Sequence, residues 1–296
     1  MDIKSSNTGN IKKIAIGTVS AIGICALTFS IFTNTAQSAV INKTESIPTV
    51  YQASSASIKP NTPKGYVKAS YKVKLAESAR KSTAKDMPAK DAAEIGAQDI
   101  WKLFGADLNG KTIEMSYNQV TDTQLRAQWQ GEINIKKNLS YWFTVDAITG
   151  ENLTTAQNKY WPGNVNVGFD KALNSDPAQY RELASKVAEK YQLVSGKIIS
   201  AKYDGQGYTA NNDGTASNPD ISFIVTSDNG NRAQLLFSRY NQEFLQVSYD
   251  SCVKEMEAFS KKMEDEQAKK MQDKAKQKDQ KNNTNSTSEL ILQEDK

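Results

Sequence analysis

The chain has 296 residues, a net charge of +4 and a hydrophobic share of 38%, so it has room for two small domains, although some of it adds little to any core. The charge is too mild to argue for nucleic acid. There is no histidine, which removes Ser-His-Asp and Cys-His catalysis, HExxH-type zinc sites and imidazole proton shuttles together.

Residues 1–13 are polar and carry Lys4, Lys12 and Lys13, and 14–32 is an apolar run of nineteen residues without a charge. As a helix it rises about 30 Å, the hydrocarbon thickness of a bilayer. Positive charge before it and none just after predict a cytoplasmic N-terminus and an extracellular remainder. The run reads as a single-pass transmembrane anchor. The alternative is a cleaved signal segment, with Ala36 and Ser38 around the cut and a secreted product. Residues 33–85 have the composition of a flexible tether, with nine Lys and Arg side chains against Glu45 and Glu77. Its basic stretch 40–85 also offers attachment to an anionic wall polymer or lipid surface. Tyr66, Val67, Tyr71, Val73 and Leu75 are spaced for one short strand that joins the domain.

A first folded module spans 86–156. Asp86 is a candidate N-cap and Pro88 suits a first helical turn; Ala92, Ile95, Ile100, Leu103 and Phe104 then follow at helical spacing, and Gly105 is a stop. Residues 111–118 and 124–133 alternate as strands. In 139–154 a strand with Tyr141, Phe143 and Val145 on one face and Trp142 on the other is followed by a turn and a further strand. Asp146 initiates that turn and Gly150 takes its left-handed position. After a linker over 157–175, a second module over 176–252 has the same order of elements. Asp176 and Pro177 open its helix, Gly196 ends it, a strand covers 197–203, and a polar loop covers 204–220. Strands over 221–226, 232–239 and 244–249 complete it, the first two joined by the turn Asp228, Asn229 and Gly230. The tail, 253–296, reads as a charged helix to about residue 280, then an Asn/Thr/Ser-rich segment disordered by composition; Leu290, Ile291 and Leu292 form a short apolar end. The fold class is therefore α+β: two tandem modules, each one helix packed on a four-stranded antiparallel sheet, after an N-terminal transmembrane helix or signal segment.

Helix, meander and a last hairpin reading as an aromatic strand, then Asp146, Ala147, Ile148, Thr149, Gly150 and Glu151, resemble the PepSY domain family over about residues 86–156. The second module has Tyr240, Asn241, Gln242 and Glu243 where that turn would fall. The resemblance implies a non-catalytic role, in binding or restraining a peptidase or a signalling protein of the bacterial envelope.

Trp142, with Arg126 and Gln128 beside it on the face away from the helix, forms the candidate partner-binding surface. Asp146, Thr149, Gly150 and Glu151 are turn residues with a structural role. Asp204, Asp213 and Asp220 lack the alternating spacing of a calcium loop, and Cys252 reads as a small apolar residue. No catalytic residue, metal site or cofactor is expected. The chain reads as an extracytoplasmic interaction or regulatory protein and not an enzyme. The alternatives are a wall- or polyanion-binding surface protein and, at a distance, a carboxylate-based hydrolase.

Overall fold

The structure is a computed structural model that describes residues 62–291 except 78, 122, 123 and 164, with the backbone alone over 272–291. The apolar run 14–32 and the tether up to residue 61 lie outside the described residues; among those described, no helix is long and apolar enough to cross a membrane. The first half of the domain comprises β1 (Lys72–Leu75), α1 (Ala89–Phe104), β2 (Thr112–Asn118), β3 (Gln128–Lys136), β4 (Leu139–Asp146) and β5 (Asn152–Lys159). The second comprises β6 (Trp161–Pro162), α2 (Lys171–Ser175), α3 (Ala178–Tyr191), β7 (Ile198–Ala210), β8 (Ala216–Ser227), β9 (Arg232–Ser238) and β10 (Phe244–Ser248), and α4 (Asp250–Ile291) follows.

The two separate four-stranded sheets expected from the sequence are instead one mixed sheet of ten strands, ordered β1-β2-β3-β4-β5-β10-β9-β8-β6 with β7 also on β8. The reason lies at the edges. Alone, each half would leave the backbone of β5 or β10 unpaired, an invitation to association. Here Thr154, Thr155 and Ala156 pair antiparallel with Ser248, Val247 and Gln246, and both edges vanish into the interior. β1 is the short strand anticipated in the tether, and it runs parallel to β2.

Alternation sorts the two faces. Phe143 and Val145 of β4 pack with Ile100 of α1, and Phe223 and Leu235 pack with Ala184 and Ala188 of α3. Thr155 accepts its place on the same face, donating its hydroxyl to Asp99 of α1 at 2.7 Å, while its register partner Val247 lies in the core under α3. α1 and α3 thus cover one face, and Phe104 packs against both cores. Thr154 points to the other face, where it lies 3.5 Å from Cys252 in the first turn of α4. Asp99 is buried at the seam and also receives the Tyr249 hydroxyl at 2.7 Å. Burial raises its carboxyl above the usual range, and the two hydroxyl donors and Lys102 oppose that shift.

Several boundaries differ from the sequence reading: β3 is shifted from 124–133 to Gln128–Lys136, and the stretch read as a linker over 157–175 holds the end of β5, β6 and α2. Pro88, not Asp86, occupies the N-cap of α1; Asp86 instead accepts the Tyr117 hydroxyl at 2.8 Å. α3 ends at Gln192 in a left-handed conformation, φ 50°, four residues before Gly196. The polar stretch 204–220 is mostly strand, with only 211–215 left as a turn between β7 and β8. Six register pairs, from Gly205↔Ser222 to Ala210↔Ser217, hold the β7 part of that segment extended against its own weak strand propensity. Finally, α4 starts at Asp250 and continues to Ile291 across the segment read as disordered.

Candidate functional site

The hairpin that carries the resemblance forms as its residues dictate. Asp146 Oδ1 accepts the amides of Ile148 at 2.9 Å and Thr149 at 2.8 Å, and Gly150 has φ 75°, a conformation costly for any residue with a Cβ. The other oxygen of Asp146 meets the Arg126 guanidinium at 3.4 Å; Glu151 meets it at 3.2 Å and Glu255 of α4 pairs with its Nε. Ser251 donates to Glu151 at 2.6 Å. The turn is thereby a seat for the first turns of α4.

This arrangement changes the surface expected around Trp142. The Arg126 side chain is only 10% exposed and is spent on three carboxylates. Gln128 is buried, 4% exposed. Two of the three proposed partner-binding residues therefore lie inside the protein; for Arg126 the reason is α4, whose Glu255 pairs with it. Trp142 is half-buried on the face away from α1, opposite Glu132 and Ala156 in register.

The more developed concavity lies on the helical face, over the seam between β5 and β10. It is a cleft of about 310 Å³ between the C-terminal ends of α1 and α3. Phe104, the last residue of α1, stacks on Tyr141 (centroids 5.5 Å) and on Phe244 (5.8 Å); Tyr191, the last residue of α3, stacks on Phe244 at 6.2 Å. Each helix ends on an aromatic side chain, and the two meet over Phe244. At the mouth Lys159 Nζ lies 2.7 and 2.9 Å from the two oxygens of Glu243, and Gln157 donates to Glu243 at 3.2 Å and to the Phe244 carbonyl at 2.7 Å. Desolvation works to raise the Glu243 carboxyl, but hydrogen bonds from Lys159, Asn241 and Gln157 outweigh it and hold the group below its ordinary value. The Lys159 ammonium also lies 5.1 Å from the Trp161 ring centroid. Apolar rings with a satisfied ion pair at the rim can bind and orient a ligand.

No family model, curated protein or solved structure matches the chain. Among the described residues no three His, Cys, Asp or Glu side chains cluster to hold a metal ion. Asp204 accepts Ser222 and Gln234, Asp213 accepts Thr215, and Asp220 lies against Gly207. They do not converge.

Asp220 gives a pH prediction. It is 5% exposed, and burial pushes its carboxyl up to about 6 despite Arg239 and the Gly207 amide, which favour the charge. The folded state therefore holds a proton that the unfolded chain releases near pH 4, and stability falls as pH rises from about 4 to about 6. Asp220→Asn removes this loss. Relative to wild type it should gain about 2–3 kcal/mol between pH 4 and pH 8. Urea unfolding at the two pH values checks this; an unchanged difference would show that the carboxyl stays ionised throughout.

The sequence reading missed the cleft because its parts lie far apart in the chain. Phe104 was read as a core-spaced helical residue, while Tyr191 and Phe244 fell in segments read as a helix and a strand. The available signal was that both predicted helices carry an aromatic residue near their C-terminal ends.

Proposed function

We propose that the protein is a non-catalytic extracytoplasmic interaction module, anchored in the membrane through residues 14–32, that binds a peptidase or a signalling protein of the envelope. In this reading the chain contains two helix-plus-four-strand units, the first PepSY-like, merged through β5 and β10. Strand order supports it: from each outer side toward the seam the strands run β2-β3-β4-β5 and β7-β8-β9-β10. The observation that carries the function is the aromatic cleft where the two helices end, because half-buried rings beside a polar rim suit a protein contact. The commitment of Asp146, Glu151, Asp99 and Glu243 to internal donors also favours binding over acid–base chemistry.

A photo-crosslinking residue in place of Tyr191 tests the reading in the native cell. The expected result is an adduct with one envelope peptidase or signalling protein, absent when the same residue replaces the exposed Tyr208. Equal labelling at both positions, or none at 191, would count against the cleft. Turnover of a peptide or glycan that Asp146→Asn abolishes would overturn the non-catalytic reading. Salt-sensitive retention on wall polymer, lost on deleting 40–85, would favour a wall-binding protein instead.

A further inference from the structure

Resting on the membrane anchor of that reading, we infer that the sheet edge formed by residues 62–85 docks on the headgroups of anionic phospholipids. Charge is the first argument. Residues 62–85 carry seven Lys and Arg side chains against Glu77 alone, whereas residues 86–271 carry 25 acids against 20 Lys and Arg. All seven cations are exposed. Among the described residues only Lys68 of the seven has an acid partner, Glu94 at 3.0 Å. The one acid of the neighbouring strand is Glu114, opposite Lys74 in register.

Placement is the second. β1 ends the sheet, beside β2. Beyond β1 the chain keeps to the same edge: the Ala76 amide donates to the Met115 carbonyl, Arg80 reaches Gln119 at 3.5 Å, and Asp86 accepts the Tyr117 hydroxyl. Lys72 and Lys74 would suffice to keep a strand of four residues from pairing with another chain. The exposed cations nevertheless continue past it, at Arg80, Lys81 and Lys85. Reach is the third argument. Residues 33–61 separate this edge from the apolar run 14–32. The flexible tether that their composition predicts has an end-to-end distance of about 30 Å, which holds a bilayer surface before the edge at high local concentration. Each cation near an anionic bilayer strengthens binding about fivefold, and salt screens the attraction over about 10 Å.

The full-length chain in lipid nanodiscs tests this. A photo-crosslinking residue replaces the exposed Ser82, and lipid adducts are compared between phosphatidylcholine and phosphatidylglycerol discs. The adduct should be roughly tenfold stronger in the anionic discs, and added salt should remove the difference. Lys74→Gln/Lys81→Gln/Lys85→Gln should abolish the excess, while Lys74→Arg/Lys81→Arg/Lys85→Arg should keep it. The three side chains are exposed, so both sets of changes spare the core. The same label at Tyr208, on β7 toward the other end of the sheet, should show no excess. Equal yields in the two lipids, an excess that survives the glutamine changes, or an equal excess at Tyr208 would each overturn the inference. So would an adduct at position 82 with a wall polymer in place of lipid in the native envelope. A chain that enters the discs without a lipid adduct at 82 would discard the docking and keep the anchor. A chain that does not enter them would discard both.

Discussion

Gly131→Ala should destabilise the protein by about 1–3 kcal/mol, and Phe143→Leu should cost less in that background than in wild type. Phe143 is fully buried between α1 and the sheet. Its ring lies between Gly96 of α1 and Gly131, its register partner on β3. A Cβ at either glycine would fall inside the ring's van der Waals envelope. The helix approaches this closely only because both neighbours lack side chains, so the ring and the two hydrogens form a single packing unit. Phe143→Ala alone removes the ring and leaves a cavity, at a cost of about 3–5 kcal/mol. Leucine at 143 is narrower than the ring and leaves space where the alanine methyl would enter. The double variant should therefore lose at least about 1 kcal/mol less than the sum of the two single changes. Urea unfolding followed by circular dichroism measures wild type, Gly131→Ala, Phe143→Leu and the double variant. Additive losses would show that the methyl and the ring do not compete for the same space.

The same residues explain what the sequence made legible. Alternation of Tyr141, Trp142 and Phe143 was enough to assign the core face of β4, because a single strand buried on one side imposes a period of two. The turn at Asp146 was equally local, since its hydrogen bonds span two or three residues. Non-local features did not show. The pairing of β5 with β10 joins residues about ninety positions apart, and nothing within either strand names its partner. Residues 204–220 contain Gly, Asn and Asp, whose local preference for turns is overridden by long pairing with β8. Arg126, just before β3, and Gln128, its first residue, look solvent-facing by alternation, but Arg126 is engaged by Glu255 of α4 and Gln128 is buried. The candidate site suffered most, because a cleft made of two helix ends and a strand exists only once the seam has closed.

Arg126→Met should destabilise the protein by about 3–5 kcal/mol at pH 7, and by clearly less at pH 4. The guanidinium serves Asp146, Glu255 and Glu151, whose side chains are 8%, 17% and 39% exposed. Glu151 is screened by water and contributes little. The cost comes from Asp146 and Glu255, left charged and poorly solvated when the cation goes. Burial already raises the Glu255 carboxyl, Arg126 opposes that rise, and the neighbouring charges of Asp146 and Glu151 add to it. Without Arg126 the folded carboxyl moves further up, so the folded state binds a proton that the unfolded chain does not. Stability of the variant must then fall as pH rises from about 4 toward 7, and protonation at the lower pH restores part of it. Unfolding midpoints at the two pH values, compared with wild type, check the sign. Equal losses at both would mean that the methionine merely packs badly. Hydrogen exchange gives a second reading: because Glu255 and Ser251 tie α4 to this hairpin, amides over 250–259 should exchange faster in the variant, while those of β7 and β8 remain protected.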